Sequence, residues 1–215
     1  MKPTVVLLHG LARTRVSLSG LRSHLESLGY PTWARTYPSR THTLPEMADV
    51  VAGWLQEDLP GRELVAVTHS LGGVLVRHLG NRVPFRGVVM LAPPNHGSRV
   101  ASAFAGNALF RAFYGPAGQQ VVCADEWPSP VAPFAVIAGT SSLSIGNPVS
   151  WVTRGFGILP AGEPSDGVVT VAETQHPAMA DFASVGASHT WIMNHAEARR
   201  LTVQFFEQGS FCATP

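Results

Sequence analysis

A serine between a predicted buried strand and a helix limits the fold of this chain more than any other feature. Residues 64–68 form an apolar run, which is typical of a strand buried on both faces of a parallel sheet. Helical spacing begins at Leu71, directly after Ser70, and the small residues Gly72 and Gly73 follow. Small residues permit a tight turn that exposes the serine oxygen at a helix N-terminus, where developing negative charge is favoured. We therefore predict a nucleophile elbow at Ser70; the alternative is a serine that only caps a buried helix.

The remainder of the chain alternates between predicted strands and predicted helices. The other predicted strands lie at Thr4–Leu8, which is an unbroken apolar run, and at residues 32–36, 87–92, 134–138 and 182–187. Such an alternation predicts an α/β domain with a parallel sheet covered on both faces. A chain of 215 residues fits one domain. We expect about six mostly parallel strands flanked by helices, in a single domain over residues 1–215.

Two of the helices have clear start or stop signals. Thr43 and Glu46 form a capping-box pattern, which predicts the beginning of a helix. The last helix is predicted to open at Asn194, with Glu197 three residues later, and to end near Gly209.

Two segments interrupt the alternation. Residues 97–133 form a long insertion between two strands, and residues 100–113 within it mix small and aromatic side chains as a surface helix or a lid would. Residues 140–165 are rich in glycine, serine and proline and are predicted to form a loop. Long loops in a compact domain are often functional, but plain surface excursions remain an equal alternative.

Composition excludes several classes of partner. The net charge is +1 and the lysines and arginines are scattered, so no nucleic-acid partner is predicted. No apolar run is long enough to span a bilayer, and the first residues lack a signal-peptide pattern, which predicts a cytoplasmic protein. Cys123 and Cys212 are too few for a disulfide framework, and two free thiols are favoured over a pair. A monomer is the default expectation.

Several motifs together resemble one family of enzymes. They are His9-Gly10 after the first strand, the predicted elbow at Ser70, the segment 92–98, and Asp-Gly-Val-Val at residues 166–169. This set resembles the lipase and esterase branch of the α/β-hydrolase family, and its small bacterial members in particular. The resemblance covers nearly the whole chain and implies a minimal α/β-hydrolase fold. One departure is Thr68, which stands at the first glycine of Gly-x-Ser-x-Gly and is acceptable only if it fits the turn without a clash.

The resemblance also implies which histidine acts as a base. A serine at neutral pH needs a base within hydrogen-bond reach, and the family order is serine, acid, histidine. His176, His189 and His195 come late enough in the chain. His189 follows the last predicted strand and precedes the last helix, where the family places its base. We expect His195 to be a surface or capping residue at the helix start.

The acid is predicted on similar grounds. Asp166, followed by a glycine, is similar to the acid loop of lipases; its alternative is an ordinary turn aspartate. The acid should follow the predicted strand at residues 134–138, whereas Asp125 and Glu126 precede that strand and Asp181 begins the last predicted strand. Asp166 is therefore the predicted acid, which would fix the tautomer of the base.

An oxyanion hole is implied by the same resemblance. In this family one backbone N–H comes from the residue after the nucleophile, here Leu71, and the other from the loop after an early strand, here Leu11. Losing one such donor typically costs roughly a hundred- to a thousandfold in rate. His9 is expected to be a hydrogen-bonded residue that orients this loop, not a base. His69 is expected to pack or hydrogen-bond beneath the elbow.

These residues predict a serine carboxylic-ester hydrolase that acts on a small-molecule or lipid ester. The chemistry needs no cofactor, and the remaining histidines have no partners at metal-ligand spacing. Acyl transfer, thioester hydrolysis and lactone opening are alternatives on the same triad, and a non-catalytic binding module is a further one. His96 could line the substrate mouth or hold its loop. Four aromatic residues could shape an acyl pocket or belong to the core: Phe104, Phe110, Phe113 and Tyr114.

Overall fold

Six parallel strands form one sheet in the computed structural model, which describes residues 1–130, 132–142, 153, 157–160 and 162–212. The strands are β1 (Thr4–Leu8), β2 (Thr32–Trp33), β3 (Leu64–His69), β4 (Phe85–Leu91), β5 (Phe134–Gly139) and β6 (Asp181–Val185). Their order across the sheet is β2-β1-β3-β4-β5-β6, and every neighbouring pair is parallel. The predicted fold class is therefore confirmed.

Helices cover both faces of the sheet. They are α1 (Ser19–Ser27), α2 (Leu44–Asp58), α3 (Leu71–Leu79), α4 (Arg99–Phe104), α5 (Ala108–Gln120), α6 (Val171–Thr174) and α7 (Ala196–Gln208). Alternate residues of β1 enter two separate apolar clusters: Val6 packs with α2 and α3, whereas Val5 packs with α1 and α7. This double burial explains why β1, β3 and β5 are buried at every residue and mostly apolar, instead of alternating between apolar and polar residues.

Local sequence signals predicted some helix ends correctly and one helix start wrongly. The capping box is present, because the Thr43 side chain accepts from the Glu46 N–H and the Glu46 carboxylate accepts from the Thr43 N–H. The predicted opening of the last helix at Asn194 is wrong: α7 begins at Ala196. The Asn194 side chain accepts a hydrogen bond from the Arg199 guanidinium at 2.8 Å and so does not cap the helix.

The insertion at residues 97–133 contains two helices, α4 and α5, where one surface helix was considered. It is fixed to the loop before α2 at several points. Gly115 has a φ of +66°, and a Cβ there would lie 1.7 Å from the Arg40 carbonyl oxygen. The Arg40 guanidinium donates to the Phe113 carbonyl at 2.6 Å, and the Leu44 N–H donates to the Gln120 side chain at 2.7 Å. Most of the loop predicted at residues 140–165 lies outside the described residues.

Two smaller predictions concern cysteines and membranes. Cys123 and Cys212 are both exposed free thiols, as expected. None of the described helices combines the length and the apolar character needed to cross a membrane.

Candidate active site

Ser70 lies in a strained turn between β3 and α3. Its φ of 52° and ψ of −119° are unfavourable for a residue with a side chain, and such strain is concentrated at functional sites. The turn is fixed on both sides, because the Ser70 N–H donates to the Leu91 carbonyl at 2.9 Å and the Gly73 N–H donates to the Ser70 carbonyl at 2.8 Å. A Cβ at Gly72 would lie 2.5 Å from the Leu8 carbonyl oxygen, so only glycine lets the start of α3 approach β1 this closely.

Thr68 is compatible with this turn. It lies within β3, fully buried, and the left-handed backbone begins two residues later. The tight positions come after the serine: besides Gly72, a Cβ at Gly73 would lie 2.8 Å from the Pro93 Cβ. The departure from Gly-x-Ser-x-Gly therefore falls where the backbone is extended and tolerates a side chain.

Asp166 and His189 form a buried hydrogen-bonded pair. The His189 Nδ1 is 2.7 Å from the Asp166 Oδ2. The other carboxylate oxygen, Oδ1, accepts from the Val168 N–H at 2.9 Å and from the Val169 N–H at 2.8 Å. Three donors thus fix the carboxylate, which is 1% exposed, in one orientation. Because Nδ1 is engaged, Nε2 is the ring nitrogen of His189 left for another partner.

A glycine that the sequence reasoning missed allows this pair to form. Gly139 ends β5, and a Cβ there would lie 2.5 Å from the Ala187 carbonyl oxygen and 2.8 Å from the Asp166 Cβ. The two loops also share a backbone bond from the His189 N–H to the Asp166 carbonyl at 3.1 Å. A glycine at the end of a predicted strand was the available signal, but its neighbours lie far away in sequence.

His69 connects the serine turn to the loop that carries His189. Burial lowers the pKa of His69 well below its ordinary value, and the neighbouring His189 and Arg13 lower it further. The imidazole is therefore neutral, and its Nε2 donates to the His189 carbonyl at 2.9 Å. The two imidazole rings lie 4.9 Å apart. This contact agrees with the prediction that His69 packs or hydrogen-bonds beneath the serine turn.

His9 fixes the loop after β1. Burial lowers the pKa of His9 to about 4, so the ring is neutral. Its Nε2 accepts from the Tyr37 N–H at 3.2 Å, which leaves the proton on Nδ1, where it is donated to the Gly10 carbonyl at 2.9 Å. The Arg13 N–H donates to the same carbonyl at 3.2 Å. A Cβ at Gly10 would lie 3.4 Å from the Ser70 Cβ, so this loop runs directly beside the serine.

A cavity of about 410 Å³ brings the predicted residues together. Ser70, His189, Leu11 and Leu71 all line it. Asp166 lies behind His189 and does not line the cavity. Most of the remaining lining is apolar and comes from the insertion and the acid loop: Val100, Ala101, Phe104, Phe110, Tyr114, Val121, Val168 and Val169.

Two candidate cavity residues lie elsewhere. Phe113 is 51% exposed and does not line the cavity; the Arg40 guanidinium lies over its ring at 4.4 Å from the centroid. His96 is exposed and does not line the cavity; its backbone N–H donates to the Glu173 carbonyl at 3.1 Å. Phe110 both lines the cavity and packs against the core, so for this residue the two alternatives hold together.

The rejected acids and bases also lie outside the cavity lining. His176 accepts from the Ala178 N–H at 3.1 Å, and His195 stands at the start of α7. Asp181 begins β6, and its carboxylate accepts from the Phe211 N–H at 2.6 Å. Asp125 and Glu126 are exposed.

Three solved structures with a similar fold are named as a lipase, a carboxyl esterase and a pyrethroid hydrolase. The Bacillus licheniformis lipase BlEst2 in mature form is 20% identical, with a TM-score of 0.71, and the match covers 96% of this chain and 91% of the lipase. The metagenomic carboxyl esterase MGS0156 is 20% identical, with a TM-score of 0.68 over 88% of this chain, which spans 65% of that esterase. A pyrethroid hydrolase from Sphingobium faniae JZ-2 is 16% identical, with a TM-score of 0.60 and coverage of 97% and 98%.

Sequence comparison adds nothing to this structural likeness. No family model matches the chain, and no curated protein matches it. The structural similarity establishes that the chain has the α/β-hydrolase fold, as the motifs predicted.

Proposed function

We propose that this protein is a serine hydrolase of carboxylic esters, with Ser70 as nucleophile, His189 as base and Asp166 as acid. One observation carries the proposal: His189, joined to the buried Asp166 at 2.7 Å, lines the same cavity as a serine in a strained turn. A carboxylate-held base that lines the same cavity as a serine has the parts that activate a hydroxyl for attack on a carbonyl. The lipase and esterase neighbours support an ester as the substrate class.

The reaction then follows in two halves. The Ser70 oxygen attacks the ester carbonyl carbon while the His189 Nε2 takes its proton. The tetrahedral intermediate collapses, the bond to the alkoxide breaks, and the protonated His189 gives its proton to the leaving oxygen. Water attacks the acyl-serine in the same way, with His189 as base again, and the free acid and the serine hydroxyl are released. Asp166 stays charged and stabilises the imidazolium throughout.

Backbone N–H groups of Leu11 and Leu71 would bind the oxyanion. Every peptide bond among the described residues is trans, so the Leu11 N–H points opposite to the Gly10 carbonyl in the shared peptide. That carbonyl is occupied by His9 and Arg13, which supports a Leu11 N–H that faces the other way. Leu71 is the first residue of α3, where an N–H has no partner within the helix. Both residues line the cavity beside the serine.

The cavity supports a substrate with an apolar acyl part. Its lining is dominated by aliphatic and aromatic side chains, among them Phe104, Phe110 and Tyr114. Apolar lining with a few placed polar groups is usual for small-molecule sites. At about 410 Å³ the cavity falls within the size range of small-molecule sites.

Hydrolysis of p-nitrophenyl esters from acetate to palmitate tests the proposal. We expect activity in the wild type, an optimum that reports the acyl length, and a loss of at least about a thousandfold in Ser70→Ala. Ser102→Ala is the matched control, because Ser102 is exposed on α4 and does not line the cavity. Full activity in folded Ser70→Ala would refute the nucleophile. A folded wild type that is labelled at Ser70 by a fluorophosphonate but hydrolyses no ester would refute the ester substrate alone.

A further inference from the structure

The cavity contains one arginine, Arg13, in a lining that is otherwise mostly apolar, with two histidines, two serines and one threonine. Among the described residues that line it there is no aspartate, glutamate or lysine. Arg13 follows the loop that carries the Gly10 carbonyl and lies close enough to His69 for its charge to help lower the pKa of that imidazole, after the larger effects of burial and of His189. The guanidinium is thus within electrostatic reach of the residues around Ser70.

The Arg13 guanidinium has no hydrogen-bond or ion-pair partner in the part of the chain that the structure describes. Most other described arginines are paired. Those with a carboxylate partner are Arg22, Arg35, Arg82, Arg86, Arg99 and Arg200. Arg40, Arg77 and Arg199 donate to backbone carbonyls, and Arg15, Arg62 and Arg111 are exposed. Arg13 is therefore the half-buried arginine of this set whose charge is left unsatisfied.

Burial of this unpaired charge shifts its pKa and costs free energy. Loss of hydration lowers the pKa of Arg13 below its ordinary value. A charge removed from water is destabilising unless an opposite charge or several hydrogen bonds compensate it. A guanidinium placed in this way is ready to bind an anion that enters the cavity, because much of the desolvation has already occurred in the folded protein.

Two hydrogen bonds hold the backbone around Arg13. Its N–H bonds the Gly10 carbonyl at 3.2 Å, and the neighbouring Ala12 N–H bonds the Ser39 hydroxyl at 3.1 Å. This turn also contains Leu11, the proposed oxyanion donor. A group bound by Arg13 is therefore positioned by the same loop that would position the ester carbonyl.

We propose that Arg13 determines specificity for esters that also carry an anionic oxygen group, a carboxylate or a phosphate, near the scissile bond. This inference rests on the proposed ester hydrolysis and names its substrate class. The planar guanidinium matches two oxygens of either group with parallel hydrogen bonds. The apolar lining holds the hydrocarbon part, and the start of α3 adds a partial positive charge on the same side.

Matched ester pairs test the proposal by kinetics. One pair is p-nitrophenyl butyrate and mono-p-nitrophenyl glutarate, whose acyl chain ends in a carboxylate; the other is monobutyryl glycerol and monobutyryl glycerophosphate. In each pair we compare kcat/KM for wild type, Arg13→Gln, Arg13→Lys and the control Arg15→Gln, which changes an exposed arginine outside the cavity. The pair with the larger anionic preference identifies carboxylate or phosphate as the recognised group.

We expect the wild type to favour the anionic member, and Arg13→Gln to lower the anionic-to-neutral ratio by roughly 10- to 100-fold, as for loss of a charge-assisted hydrogen bond. Arg13→Lys should fall between the two, and Arg15→Gln should keep the wild-type ratio. An unchanged anionic-to-neutral ratio in Arg13→Gln, whether both activities are kept or both fall equally, would overturn the proposal.

Equilibrium binding separates this inference from the proposed reaction. Nonanoate, octyl phosphate and octanol share one octyl chain, so calorimetric titration of the three reports the head group alone. We expect an anionic probe to bind the wild type more tightly than octanol, and Arg13→Gln to lose that preference. If the preference is lost while the wild type hydrolyses no ester, ester hydrolysis is refuted and the anion site stands. If ester hydrolysis is found but Arg13→Gln binds all three probes as the wild type does, the anion site is refuted.

Discussion

Replacing Gly139 by alanine tests whether the proposed acid and base depend on the close approach of two loops. A Cβ at this position would lie 2.5 Å from the Ala187 carbonyl oxygen and 2.8 Å from the Asp166 Cβ. Ordinary contacts begin at 3.4 Å, so the Ala187 carbonyl must move by about 0.9 Å (3.4 minus 2.5). Ala187 is two residues before His189, and the displacement is therefore passed to the proposed base.

Two effects follow from a shift of this size. A misplacement of about 1 Å in a catalytic group costs about a hundredfold in rate, so we expect kcat/KM for p-nitrophenyl butyrate to fall by about that factor. Overpacking of a well-packed site costs about 1–3 kcal/mol, so we expect the free energy of unfolding in urea to fall by a similar amount. Both measurements use the same purified variant.

Gly186→Ala is the matched control. Gly186 lies in the same loop, and a Cβ there would have no heavy atom within 4 Å. We expect its kcat/KM and its unfolding free energy to match those of the wild type. Wild-type activity in Gly139→Ala, or an equal loss in both variants, would show that close packing at Gly139 does not position the base.

Three further changes have expected outcomes of different kinds. Asp166→Asn keeps an acceptor for the backbone but loses the charge next to His189, and steady-state kinetics should show kcat/KM lowered by about a thousand- to ten-thousandfold; a loss below tenfold would contradict the acid role. The pKa of His9 is about 4 in the folded protein and 6.5 in the unfolded chain, so the unfolded chain binds one more proton between these two pH values. The contribution of His9 to the free energy of unfolding is therefore complete above pH 6.5 and is lost as the pH falls to 4. That contribution is roughly 3 kcal/mol, and urea unfolding at pH 7 and pH 4.5 should show a smaller loss in His9→Asn; equal losses would contradict it. Gly115→Ala places a Cβ 1.7 Å from a backbone carbonyl at positive φ and should lower thermal stability by about 1–3 kcal/mol, whereas Gly106→Ala, with open space, should not; equal midpoints would contradict the account.

The parts of the fold that sequence predicted are those with local or periodic signals. The strands β1, β3 and β5 are mostly apolar and buried at every residue because both faces of these strands are covered. The start of α2 was predictable since a capping box uses residues three apart. The strand expected at residues 32–36 has only two residues in the sheet, because pairing with β1 stops after Trp33. No local signal marks where such pairing stops.

The candidate site also has features that the sequence predicted and features that only long-range packing creates. The serine turn has a local signature, and the family resemblance indicated Asp166 and His189 by their order in the chain. The contact between His69 and the His189 carbonyl joins residues 120 positions apart, so no sequence pattern reveals it. The crowding at Gly139 and the unpaired charge of Arg13 are likewise results of long-range packing, and a structure is required to see them.

The order of strands in the sheet separates the proposed nucleophile from its base. Ser70 follows β3 in the middle of the sheet, whereas His189 follows β6, the last strand in the order, which pairs with β5. A refolding chain with β6 undocked would retain most of its secondary structure and the serine turn, yet it would lack the base. The proposed hydrolysis therefore requires a docked β6, and its recovery after dilution from denaturant would report the complete sheet.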